Sequence, residues 1–157
     1  MTAPNRLDIQ ADEVNQAVDE KVRGVTVKVM LSPFDVPQSA SAEFDKARRI
    51  IHLVFDYIGG DEPTVERFSD RGISLLVGKN SERLYGLDIN VANFLPLLVG
   101  DKNKEIEFVI NVAEELVTKY QEKNPQVRSK SFEAVNRVLK QYSSKITPIL
   151  QQVMIGA

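Results

Sequence analysis

After Pro96 the apolar residues of this chain stop alternating and begin to recur every three or four positions, and that change of period most limits the fold. Ile106, Val109, Ala113, Leu116 and Tyr120 follow one another in this way, with Ile110 and Val117 widening the stripe. An α-helix puts such a series on one side. Asn124-Pro125 interrupts the pattern and offers an N-cap and a first-turn proline for a second helix. From there Phe132, Val135, Leu139, Tyr142, Ile146, Ile149 and Val153 repeat the same spacing as a heptad seam. The short connection predicts a C-terminal antiparallel helical hairpin over about 101–155.

At about 1.5 Å per residue, the first helix is roughly 30 Å long and the second is over 40 Å. The second therefore overhangs its partner. Ile149, Leu150, Val153, Met154 and Ile155 lie on the overhang and need a cover, either the sheet or a second copy. A patch of that kind is on the order of a few hundred Å², at the upper end of what monomers expose. A homodimer through the C-terminal helices is the expectation, with Phe132, Val135, Leu139, Tyr142, Ile146, Ile149, Val153 and Met154 as candidate contact residues. Pro148 removes one backbone hydrogen bond and crowds the carbonyl four residues back, so a kink is predicted between Ser144 and Pro148.

The first part of the chain carries period-two signals. Val25, Val27, Val29 and Leu31 alternate with Thr26, Lys28 and Met30, which predicts a strand with one buried face. The segment from Ser41 to Ile58 fits a helix or a hairpin. Its run IIHLVFDYI is rich in β-branched and aromatic residues, so a hairpin is preferred, with the turn at Asp45 to Arg48. Gly72 to Val77 and Arg83 to Val91 form a second hairpin around Gly78 to Glu82. Both hairpin turns carry a lysine and then an arginine, a match short enough to be ordinary turn chemistry. Thr64 to Asp70 is read as one helical turn. Ala11, Val14, Val18 and Val22 predict a short N-terminal helix from Asp8, stopped at Gly24. The expected fold is α+β: an antiparallel sheet of four to five strands within about 24–92, a short N-terminal helix, and the helical hairpin. All 157 residues are read as a single domain.

Composition narrows the chemistry. The chain has no cysteine, which removes disulfides, thiolate metal sites and cysteine nucleophiles. The formal net charge of −2 gives no overall case for nucleic acid or an anionic membrane. No apolar run approaches the roughly 20 residues of a membrane span. The first residues carry no apolar segment of secretion-signal length, so a cytoplasmic location is expected.

Four constellations invite a chemical reading. His52, the one histidine, sits in mid-strand opposite in phase to Ile51 and Leu53, as a half-exposed strand residue would. Asp56, Asp61, Glu62, Glu66 and Asp70 are the densest acids. Asp56, Asp61, Glu62 and Glu66 are the candidate ligands of a small metal-dependent hydrolase or nuclease, although EF-hand spacing fails and a solvated loop suits them better. Gly78-Lys79-Asn80-Ser81 resembles a phosphate loop only on the surface. Asn80 separates the lysine from the serine and a strand follows, so nucleotide binding is rejected. Arg128, Lys130, Arg137 and Lys140 make the last helix basic and are the candidate nucleic-acid contacts. They serve equally to balance the acidic helix before it.

No catalytic set and no cofactor motif emerges. The leading expectation is a non-enzymatic protein-interaction module of antitoxin, immunity or adaptor type, with no cofactor. The alternatives are the metal-dependent hydrolase or nuclease and a weak nucleic-acid binder.

Overall fold

The computed structural model describes residues 6–9, 17–31, 34–59, 62–90, 102–124 and 130–155. Its strands are β1 (Arg6–Asp8), β2 (Ala17–Val22), β3 (Val25–Met30), β4 (Ser39–Asp45), β5 (Ile50–Asp56), β6 (Thr64–Asp70), β7 (Ile73–Gly78) and β8 (Leu84–Asn90). Its helices are α1 (Lys102–Lys123), α2 (Ser131–Gln141) and α3 (Ser143–Ile155). Six strands form one antiparallel sheet in the order β1-β4-β5-β8-β7-β6, while β2 and β3 form a separate two-stranded ribbon.

The sheet is built on alternation. Ile51, Leu53 and Phe55 are buried, while His52, Val54 and Asp56 between them are half-exposed. The preferred hairpin is present as β4 and β5, and Ala42 and Ala40 lie across from Leu53 and Phe55. Small residues opposite large ones let the inner face fill without crowding. On β8, Leu87 pairs with Leu53 on one side and Leu75 on the other. Gly86 stands where a Cβ would come within 2.9 Å of the Leu53 carbonyl oxygen, so the strand approaches too closely for a side chain.

Three expectations for the first half of the chain are corrected. There is no N-terminal helix among the described residues: Asp8 lies in β1, and Ala17, Val18 and Val22 lie in β2. Ala11 and Val14 fall outside the described residues. Arg23 and Gly24, at φ of 52° and 81°, make a two-residue turn with both central residues left-handed, so Gly24 joins two strands instead of ending a helix. Thr64 to Asp70 is the strand β6, not a helical turn; β6 and β1 together bring the sheet to six strands in place of four or five, while β3 lies outside it. β3 forms as predicted, but Val25 and Val27 are 64% and 41% exposed, so its expected buried face is absent there.

All three helices lie on one face of the sheet. α1 packs on β6 and β7, α2 on β8, and α3 against β1, β4 and β5. α1 and α2 run antiparallel, as predicted. Tyr120 stacks on Phe132 with ring centroids 5.1 Å apart, and Asn136 Nδ2 donates to Thr118 Oγ1 at 3.0 Å. The two-helix hairpin is nonetheless a three-helix layer, because the long second helix is divided at Tyr142 (φ −106°, ψ 15°). The Tyr142 carbonyl accepts the N–H of both Lys145 and Ile146, at 2.9 and 2.8 Å. The break therefore falls just before the predicted Ser144–Pro148 span, and Pro148 sits inside α3. The missing proline N–H affects the Ser144 carbonyl, which belongs to an exposed residue that water can reach. Asn124 is corrected too. Its N–H and its side-chain Nδ2 both donate to the Tyr120 carbonyl at 3.0 Å, so it closes α1, while Lys130 occupies the N-cap of α2.

A fully buried polar link ties the layers. Leu84, at the start of β8, donates its N–H to Ser131 Oγ at 2.8 Å. Its carbonyl accepts the Tyr57 hydroxyl at 2.7 Å. Leu84 and Ser131 are fully buried. Removing the serine oxygen leaves a buried N–H without an acceptor, which costs about 1–3 kcal/mol. Ser131→Ala is expected to lower the unfolding free energy by about that amount in urea titrations. A loss under about 0.5 kcal/mol, within the range of neutral surface changes, would show that the link is dispensable.

Candidate functional site

Six of the eight seam residues chosen from the sequence are buried within the chain. Phe132, Val135, Leu139, Tyr142, Ile146 and Ile149 are all buried against the sheet and α1. The side chains of Val153 and Met154 fall outside the description. α3, which begins after the turn at Tyr142, packs on β4 and buries Ile149 and Leu150 at the start of the predicted overhang.

Of the basic residues on the last two helices, Lys140 faces an acidic group across the helix layer. Burial raises the Glu114 carboxyl above its usual pKa, and the charge of Lys140 on the facing helix opposes that rise. Lys130 is the half-exposed N-cap of α2, and Arg137 is half-buried. Arg128 lies outside the described residues. The Lys145 ammonium stands over the Tyr142 ring, 5.4 Å from its centroid.

The acidic cluster is dispersed. Asp56 accepts the Ser39 hydroxyl at 3.0 Å, and Glu66 points outward on β6. Asp70 receives Lys119 and Arg71, each at 3.4 Å. Asp61 falls outside the description. Among the described residues no three potential ligands converge on one point.

Glu62 has a structural task that its sequence position does not announce. One of its oxygens accepts the backbone N–H of Asn80 and of Ser81, at 2.7 and 2.8 Å, and the other accepts the Tyr85 hydroxyl at 3.0 Å. The Gly78–Ser81 loop that superficially resembles a phosphate loop already holds an anion, supplied by the chain itself. Two successive amides aimed at one oxygen make a small anion nest.

His52 gains a partner 36 positions away. Its Nδ1 lies 2.5 Å from Asp88 Oδ1 on the neighbouring strand, and the two side chains are 27% and 20% exposed. The register extends the pair into a transverse polar row, with Glu43 opposite His52 and Ser74 opposite Asp88. This row lies on the sheet face away from the helices. A carboxylate on Nδ1 leaves Nε2 as the working atom of an acid–base residue. Among the described residues no hydroxyl nucleophile is bonded to it, so the pair alone orients a ring.

Two further features were missed from the sequence. A groove of about 400 Å³ lies between β6, the β7–β8 turn and the end of α1, with Arg67, Lys79, Glu82 and Tyr120 on its wall. Burial raises the Tyr120 phenol pKa, and Arg67 opposes it. The mixed charge of this wall selects no single ligand sign. The other feature is the β2–β3 ribbon. Asp19, Arg23 and every residue from Gly24 to Lys28 are exposed, including the two valines. Alternation at 25–29 marked the strand, but it could not tell a buried valine face from an open one.

No family model, curated protein or solved structure matches this chain.

Glu62 gives a pH-dependent prediction. Its burial raises the carboxyl pKa, but hydrogen bonds from the Ser81 side chain and backbone, the Asn80 N–H and the Tyr85 hydroxyl outweigh this and bring it from 4.5 to about 2. A depressed carboxyl stabilises the fold above the pKa of the unfolded chain and loses that contribution as pH falls through the folded value. The urea midpoint of the wild type is expected to fall more steeply between pH 4.5 and about 2 than that of Glu62→Gln. Parallel profiles for the two proteins would remove Glu62 as the loop's anion.

Proposed function

We propose that this chain is a non-enzymatic protein-interaction module, and that its contact surface is the β2–β3 ribbon. The observation that carries this reading is the exposure of Val25 and Val27, 64% and 41%, on a ribbon outside the six-stranded sheet. An isolated two-stranded hairpin is marginal in water. Among the described residues the ribbon's outer backbone edges are open, and these edges and the apolar side chains are both satisfied when another strand pairs with it.

The two ribbon edges are unequal. β2 carries Asp19, Glu20 and Lys21 in succession, a charged run that discourages pairing. β3 carries Lys28 as its single charge among three valines, a threonine and a methionine. The occupant that fits β3 is therefore an extended protein segment with β-branched side chains. An adaptor, antitoxin or immunity role is compatible with contact of that kind.

A photo-crosslinking amino acid at position 27, introduced in living cells, tests the reading. The same probe at Glu43, on the open sheet face, is the control. Discrete protein adducts are expected at position 27 and not at position 43, and they should disappear with Thr26→Pro. Equal labelling at the two positions, or adducts insensitive to the proline, would remove the ribbon as the contact surface.

A further inference from the structure

We infer that the strand seated on β3 is β3 of a second copy, paired antiparallel about a two-fold axis at Val27. This rests on the ribbon being the contact surface and names its occupant.

The argument begins with backbone parity. Arg23–Gly24 is a two-residue turn, and Val22 and Val25 flank it as Cα partners. In a hairpin of this kind the flanking residues exchange both of their hydrogen bonds, and exchanging pairs then alternate along the ladder. Val25, Val27 and Val29 thus turn their peptide groups toward β2, while Thr26, Lys28 and Met30 turn theirs outward. Among the described residues nothing pairs with this edge, and its central part presents the N–H and C=O groups of Thr26 and Lys28.

A two-fold axis at Val27 uses those groups completely. Thr26 meets the partner's Lys28, and Lys28 meets the partner's Thr26, in two exchanging pairs with four hydrogen bonds. Val27 meets the partner's Val27 as a non-exchanging pair, the closer of the two kinds, at about 4.5 Å between Cα atoms. Val25 stands across from the partner's Val29. Every valine position opposes a valine position, and Lys28 opposes a threonine. A shift that set Lys28 against the partner's Lys28 would place like charges opposite each other and destabilise the pair. The sequence VTVKVM thus favours one register with itself. The product is a continuous four-stranded sheet, β2-β3-β3-β2, which passes the size at which strands become independently stable. The interface lies at the small end of protein contacts, so association is weak and concentration-dependent.

The chain has no cysteine, so a single introduced thiol reports on this geometry without interference. Val27→Cys places two thiols across the axis, within the Cα range of a disulfide. Val25→Cys places them four residues apart along the strand, about 14 Å, which is out of reach. With both proteins purified, at about 100 μM in oxidised glutathione, Val27→Cys is expected to form a disulfide dimer at least about tenfold faster than Val25→Cys. Adding Thr26→Pro removes one outward N–H without touching the β2–β3 ladder, and should abolish the difference.

Equal rates for the two cysteines would indicate ribbons stacked by their faces and would overturn the edge pairing. If neither cysteine forms dimer faster than in urea, while position 27 still crosslinks another protein in cells, the self-pairing fails and the interaction reading stands. If position 27 is silent in both experiments, both fail.

Discussion

The Leu84 peptide is the point at which the two layers of this protein are registered on each other. Both of its polar groups are met by side chains: the Ser131 hydroxyl from the start of α2 and the Tyr57 hydroxyl from the end of β5. A buried peptide without such partners would cost several kcal/mol relative to water on the order-of-magnitude scale for apolar transfer. The geometry of the clamp therefore sets where α2 begins. With Ser131 placed, Phe132 follows into the core and stacks on Tyr120 of α1. Burial pushes the Tyr57 phenol far above its usual pKa, while Ser131 and Arg83 oppose the shift, so Tyr57 remains a neutral donor. Tyr85 meets the edge of Tyr57 at 5.4 Å and also donates to Glu62. One aromatic pair therefore links the interlayer clamp to the loop that Glu62 holds.

What could be read from the sequence follows from how strictly burial enforces period. β5 buries one face under helices with clean alternation, and so does β7 from Ile73 to Val77, whereas β8 alternates only from Leu87 onward because the register with β7 shifts between Gly86 and Leu84. The stripe of α1 is equally clear, and its described members are all buried. β6 fails the test for a local reason. A bulge between Glu66 and Phe68 breaks the pleat, so Val65 pairs with Val77 while Phe68, three positions on, pairs with Leu75. Three-residue spacing of that kind imitates a helical turn. In β2, Val18 and Val22 are four apart, a spacing that suits either a helix or a strand. The break at Tyr142 was invisible because Tyr142 is buried whether the helix continues or turns, so the heptad count runs through it.

The candidate site was less legible because its contacts are long-range. His52 finds Asp88 from 36 residues away, and Glu62 finds Tyr85 from 23. Neither pairing leaves a trace in local spacing. Glu62 also explains the Gly78–Ser81 loop better than its resemblance to a phosphate motif. The amides that would meet a phosphate are occupied by a carboxylate. The same sheet separates two environments: an inner face sealed by three helices, and an outer face whose row from Glu43 to Ser74 is polar and half-open.

Edges decide what such a molecule can do to its surroundings, since an unpaired strand is an invitation to pair. The outer strands of the six-stranded sheet are both guarded. β1 is three residues long and has Arg6 and Asp8 at its ends, 3.4 Å apart as an ion pair. β6 carries Glu66, Arg67 and Asp70 and is bent by its bulge, which twists its edge out of line for a neighbour. In the ribbon, β2 is guarded by its charged run. β3 alone among these four described edge strands is six residues long, regular in register, and charged at a single position. A chain that protects three edges by shortness, bulge or charge and leaves the fourth regular and valine-rich concentrates its capacity for strand pairing there. The turn that makes this possible is local and inexpensive in residues: Arg23 and Gly24 in left-handed conformations reverse the chain with the twist that suits a ribbon.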